Sequence, residues 1–229
     1  MRKTIQTVVV LVGLTQAFSA CRGRDSGSPA PMGPTPAPSA PTGSQPRISA
    51  ITPKASTTLG NGWGVITGTG FASGLRVWFG SAEQKVLVNN AQTIRFWGTS
   101  AHEAGTVDVI VRNSGGREDR LVQGFTFAPP ESFDFNGSWA AYAGDDYGAD
   151  MRFVIDHDKL MSLTCGSSLA IAFAEPPAVS GGQFSFVGDD GLKVSGQIVS
   201  DINAIGEINV PPCAPTWWGD KSTATQFAR

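Results

Sequence analysis

From residue 47 onward the chain is written in short runs in which apolar and polar positions alternate. In Thr106-Val107-Asp108-Val109-Ile110-Val111-Arg112, the side chains of Val107, Val109 and Val111 share one face of a strand. "LVQGFTF" does the same with Val122, Phe125 and Phe127 if Gly124 marks a bulge. Asn113-Ser114-Gly115-Gly116 supplies a turn between the two runs, which together predict a hairpin. Upstream, "WGVITGTGF", "LRVWFG", "KVLV" and "TIRFWG" recur at short intervals separated by Gly or Asn, the spacing of a β-sandwich.

Pro129-Pro130 ends this unit, because neither residue can donate to a ladder. Beyond it, over 131–229, come "MRFVID", "LMSLT", "SLAIAF", "GQFSFVG", "LKVSGQIV" and "AIGEINV". Asp156-His157-Asp158-Lys159 and Gly188-Asp189-Asp190-Gly191 read as turns. In "GLKVSGQIV", Leu192, Val194, Gly196 and Ile198 fall on one face. Roughly seven or eight strands predict a small antiparallel barrel or sandwich. The fold class is therefore all-β.

The N-terminal part reads differently. Met1-Arg2-Lys3, the apolar run Val8 to Leu14 and small residues at Ser19-Ala20 have the layout of a secretory signal peptide, residues 1–20. Residues 21–46, rich in Gly, Ser, Pro, Ala and Thr, have almost nothing to bury and read as a flexible tether. At about 3.1 Å per residue it reaches on the order of 70 to 80 Å.

Phe18-Ser19-Ala20-Cys21 resembles the lipobox of bacterial lipoproteins, in which the cysteine becomes the lipidated mature N-terminus. Ordinary secretory cleavage, leaving a free thiol, is the alternative. The resemblance implies a membrane partner through lipidated Cys21. Arg22 after the cysteine, in place of the Asp that retains many Gram-negative lipoproteins at the inner membrane, implies the outer membrane or cell surface. Several acyl chains, at about 0.8 kcal/mol per buried methylene, give stable anchoring.

Composition adds three points. With 229 residues, 28 Gly, 15 Pro and 6 Trp, the chain favours short strands and tight turns and can fill two cores. Loss of Arg2 and Lys3 with the leader takes 17 basic residues to 15 against 19 acidic ones, a net charge of −4, which is no nucleic-acid footprint. With Cys21 assigned to lipid, Cys165 and Cys213 form an even remainder and predict a disulfide in an exported protein, with a two-thiol metal site as the weaker alternative.

A second resemblance rests on Pro46 to Pro53 ("PRISAITP"), Val65 to Phe71 ("VITGTGF"), Val77 to Gly80 ("VWFG"), Gly105 to Val111 ("GTVDVIV") and Gly124 to Phe127 ("GFTF"). In this order they resemble the IPT/TIG family of immunoglobulin-like domains over 47–128. Gly68 and Gly70 are expected to turn the chain after "VIT", and Gly80 to close a hairpin. The resemblance implies a role in binding or spacing. In the C-terminal part, Gly137-Ser138-Trp139 with a late arginine, Arg229, resembles lipocalin-like barrels, where the two side chains stack.

Catalytic chemistry is thinly represented. His102 and His157 both sit in polar, turn-like surroundings without a nucleophile elbow. Asp145, Asp146 and Asp150 in "GDDYGAD" are a weak calcium candidate or an acidic pair, against the plain reading as turn formers. Trp63 lies in "NGWGV" and Trp97 ends "IRFW". Trp217 and Trp218 follow Cys213 in a Pro-rich loop and are the candidate ligand-binding pair, of which strand alternation exposes one; core packing with one lid residue is the alternative. The expected function is binding or spacing towards an extracellular protein or glycan, non-enzymatic and without cofactor. The alternative is a surface hydrolase with an acidic site in the C-terminal domain.

Overall fold

The computed structural model of the chain describes residues 43–143, 149–167, 169–211 and 213–222. The expected leader, Cys21 and nearly all of the expected tether lie outside the described residues. The described residues form one compact unit with two cores, one in each of two consecutive β-domains.

The first domain holds β1 (Arg47–Thr52), β2 (Ala55–Thr57), β3 (Gly64–Thr69), β4 (Arg76–Phe79), β5 (Ala82–Asn90), β6 (Thr93–Trp97), β7 (Gly105–Arg112) and β8 (Glu118–Ala128). One layer runs β1-β3-β6-β5 and the other β5-β4-β7-β8-β2, so β5 pairs with β4 through its first residues and with β6 through its last. Ile51, Ile66, Ile94 and Phe96 from the first layer meet Val77, Phe79, Val109, Val111, Phe125 and Phe127 from the second. The rings of Phe79, Phe96 and Phe125 pack on one another at the centre. This is a β-sandwich, with inward residues alternating as the sequence pattern requires.

Three details differ from expectation. The bulge in β8 is present, but Leu121 rather than Val122 continues the inner row. Val109 pairs with Leu121 and Val107 with Phe125, while Val122 is 68% exposed. The Asp108 carboxylate holds the looped-out residues by accepting from Gln123 N at 2.9 Å. Gly68 is a strand residue, needed because a Cβ there would stand 1.9 Å from Arg47 O; the turn is made at Gly70, with φ +70°. Asn113 does more than turn the β7–β8 hairpin. Buried, it donates to Ser44 O at 2.9 Å and Gly70 O at 2.8 Å and accepts from Ala72 N at 3.2 Å.

A short 3₁₀ turn, Pro130–Ser132, leads into the second domain. Its strands are β9 (Gly137–Ala143), β10 (Ala149–Asp156), β11 (Lys159–Cys165), β12 (Leu169–Ala172), β13 (Gln183–Val187), β14 (Lys193–Ile198), β15 (Asn203–Ile208) and β16 (Thr216–Lys221). The order β12-β11-β10-β9-β16-β15-β14-β13 is an antiparallel up-and-down sheet in which β9 and β16, the first and last strands of the domain along the chain, pair. It is therefore nearly barrel-shaped, with its free edges at β12 and β13. Trp139, Met151, Phe153, Leu163, Phe184 and Trp217 fill the interior.

The segment after Cys213, expected as a loop, supplies the closing strand β16. Among the described residues, a cation beside Trp139 is Lys221, with Nζ 6.0 Å from the ring centroid and hydrogen-bonded to Asp134 O at 2.8 Å. Arg229, expected in that place, lies outside the described residues. Cys165 and Cys213 form a disulfide buried in this core, joining the end of β11 to the turn before β16.

Candidate functional site

The outer face of β13–β16 carries the site, and strand alternation decides which residues reach it. In β14, Val194, Gly196 and Ile198 point inward and leave Ser195 and Gln197 outside. In β15, Ala204 and Ile208 are core residues and Ile205 and Glu207 face out. In β16, Trp217 is in and Thr216 and Trp218 are out.

Beneath the face, Phe184 and Trp217 stack with centroids 6.2 Å apart and lie over two glycines. A Cβ on Gly196 would come within 2.2 Å of the Phe184 ring, and one on Gly206 within 2.4 Å of the Trp217 ring. The glycines are thus required by close ring-to-backbone approach.

Above the face lies an open cleft of ≈ 940 Å³. Its floor includes Ser185, Ser195, Gln197, Ile205, Glu207 and Trp218, and Ala178 and Ser180, on the segment crossing from β12 to β13, form a wall. A smaller hollow of ≈ 370 Å³ continues along the same face past Ser185, Ser195 and Glu207 towards Lys193 and Asn209. Register places Gln197, Ile205, Trp218 and Tyr142 in one row across β14, β15, β16 and β9. Trp218 and Tyr142 lie 5.0 Å apart at 37° and are 36% and 46% exposed.

The pairing of Trp217 with Trp218 as ligand-binding residues is corrected in one half. Trp217 is 1% exposed and packs on Phe153 at 5.2 Å, because neighbouring strand residues face opposite ways. Trp218 ends the cleft. Asp145 and Asp146 lie outside the described residues, as does the Asp150 side chain; the Asp150 backbone pairs with Tyr142. His102 stacks on Phe127 at 4.4 Å, and His157 sits exposed in the β10–β11 turn with φ +48°. Among the described residues no three His, Cys, Asp or Glu side chains are grouped to hold a metal ion.

The sandwich also reaches this face, which the sequence did not indicate. Trp63 meets Trp218 edge to face at 5.6 Å. Gln197 Nε2 donates to Gly60 O at 3.1 Å, and Asn61 Nδ2 donates to Gln197 Oε1 at 3.4 Å. Thr57 N donates to Val199 O at 2.8 Å, just beyond β14. Under that contact lies a polar chain: Ser200 Oγ donates to Asn203 Oδ1 at 3.0 Å, and Asn203 Nδ2 donates to Asp220 Oδ1 at 2.8 Å. Burial pushes the Asp220 carboxyl above the usual aspartate value, and the Asn203 hydrogen bond opposes this.

Fold and site together define an immunoglobulin-like sandwich docked on the outer face of an eight-stranded up-and-down sheet. Residues 46–129 match the model of the IPT/TIG domain, and the first domain is an IPT/TIG domain. No curated protein matches the sequence.

Among solved structures, the chain is similar to an auxiliary nutrient binding protein from Bacteroides thetaiotaomicron VPI-5482, at 11% identity over 67% of this chain and 43% of that one, TM-score 0.31. It is also similar to a protein of the same organism provisionally named as a phosphatase, at 13% identity over 79% and 46%, TM-score 0.29. A third is an auxiliary nutrient binding protein from Bacteroides ovatus ATCC 8483, at 11% identity over 75% and 48%, TM-score 0.29. The chain spans less than half the length of each. At these TM-scores the likeness carries no argument about function.

Proposed function

We propose that the protein is a non-enzymatic, lipid-anchored component of the cell envelope that binds an uncharged glycan in the cleft on β13–β16. The observation that carries this reading is the mixed surface of the cleft: an indole at one end, with the exposed Tyr142 ring packed beside it, then hydroxyl, amide and one carboxylate side chains along an otherwise sheet-backed floor. Aromatic faces receive the C–H faces of sugar rings while the polar groups exchange hydrogen bonds with hydroxyls. Glu207 is the single carboxylate among the cleft's described lining residues, whereas glycoside hydrolysis uses a carboxylate pair.

Anchoring at Cys21, placement at the outer membrane or cell surface, and the tether as a spacer rest on the N-terminal pattern. The intact mass of the native protein tests the anchor. The test of the site is affinity electrophoresis of the full chain through gels holding soluble neutral polysaccharides: glucan, mannan, xylan and galactan. Retardation by at least one of them, lost in Trp218→Ala, is the expected result. Equal retardation of the variant contradicts the site.

A further inference from the structure

The cleft ends at Trp218, but the aromatic surface does not stop with that residue. Trp63 takes over from it at 5.6 Å and 88°, and belongs to the other domain. The loop that presents Trp63 is fixed from both sides. Asn61 N donates to Thr99 O at 2.6 Å, Gly62 N to Thr99 Oγ1 at 2.8 Å, and Thr99 N to Gly62 O at 3.1 Å. Gly60 and Asn61 adopt φ of +79° and +61°, and a Cβ on Gly60 would stand 2.6 Å from Ala101 N. Gln197, itself on the cleft floor, clamps the loop through Gly60 and Asn61. An aromatic held this way costs little further conformational entropy when a ligand stacks on it.

The ladder then carries the surface further. Gly64 pairs with Phe96, whose ring is in the sandwich core, so Trp97, the next residue, faces out at 44% exposure beside the Trp63 position. Lys85 stands opposite Trp97. Tyr142, Trp218 and Trp63 are thus in ring contact in that order, and the ladder direction places Trp97 on the sandwich face next to them.

We infer that the IPT/TIG domain supplies the second half of the ligand site, so that a linear uncharged polysaccharide leaving the cleft continues over Trp63 and Trp97. This rests on the glycan reading of the cleft. It makes chain length the property recognised: a short oligosaccharide fills the cleft alone, and a longer one gains the aromatic extension. Each added stacking contact strengthens binding about three- to tenfold.

The experiment is titration calorimetry of the full chain with linear glucan, mannan and xylan oligosaccharides graded from disaccharide to octasaccharide. The wild-type protein is expected to bind longer chains more tightly. Trp63→Ala and Trp97→Ala are expected to lose that gain and keep the affinity for short chains. Trp97 is a surface residue of a strand, so its variant keeps the fold even if Trp63→Ala does not. The cleft-filling variant Ser195→Trp and Trp218→Ala are expected to lose both. If Trp63→Ala and Trp97→Ala bind long chains as the wild type does while Ser195→Trp fails, the extension is overturned and the cleft reading stands. If Ser195→Trp and Trp218→Ala also bind normally, or the wild type binds none of the probes, both readings fall.

Discussion

Trp63 and Trp218 meet edge to face across the two domains, with ring centroids 5.6 Å apart and planes at 88°. With the Gln197 amide gripping Gly60 and Asn61 and the Thr57–Val199 backbone bond, this contact makes one body of two folds that have separate cores.

A docked pair should melt together. The wild-type chain is expected to show a single calorimetric unfolding transition. Gln197→Ala removes both hydrogen bonds into the loop, at about 0.5–1.5 kcal/mol each, and combined with Trp63→Ala should split the transition in two. A single unshifted transition in the double variant would show that the domains are held by other contacts.

Asn113 gathers the chain entry, the loop after β3 and the β7–β8 hairpin through three hydrogen bonds. Asn113→Ala removes three hydrogen bonds to half-buried or exposed backbone groups, of which Gly70 O keeps the Ser44 hydroxyl as donor, and is expected to cost about 1–3 kcal/mol, measured by urea unfolding. Asn113→Asp should cost at least as much, because a carboxylate cannot donate to Ser44 O or Gly70 O.

The disulfide closes a loop with a sequence separation of 48. Cys165→Ser with Cys213→Ser is expected to lower unfolding stability by about 4 kcal/mol in the chain-entropy model, read by guanidinium denaturation. Equal midpoints for the oxidised protein and the variant would contradict a stabilising bridge.

Asp220 sets a pH dependence. Its carboxyl is raised by burial, so the folded state favours the protonated form. The stability this contributes is present at low pH and is lost as pH climbs from the ordinary aspartate value through the raised folded one. Asp220→Asn keeps an acceptor for Asn203 Nδ2 and should flatten that decline, giving a variant at least as stable as the wild type at neutral pH. Thermal melts across this interval check the sign.

How much of this could be read from sequence follows from period and partner. Alternation in "TVDVIVR" and "GLKVSGQIV" places Val109, Val111, Val194 and Ile198 correctly, because a strand with one buried face must alternate. It misplaces the β8 inner row by one residue, because the bulge depends on Asp108, a residue of the neighbouring strand. Prolines around Cys213 hid β16, whose ladder partners lie in β9 and β15.

Of the site, Trp218 was visible and Tyr142 and Gln197 were not, since nothing local marks which outer face will be roofed by a second domain. One signal was available: Ile205 is apolar at a position out of phase with Ala204 and Ile208. That isoleucine becomes informative only once the ladder sets it in a row with Trp218 and Tyr142, which makes a contiguous apolar patch.

The most direct measurement of the central claim fills the cleft without touching the core. Ser195 lies outward on β14, where the two hollows of the face join, and tryptophan is well tolerated in strands. Ser195→Trp is predicted to abolish retardation by the polysaccharide that slows the wild-type chain, with unfolding stability changed by no more than about 0.5 kcal/mol. A stable Ser195→Trp protein that is retarded as strongly as the wild type would show that the ligand lies elsewhere.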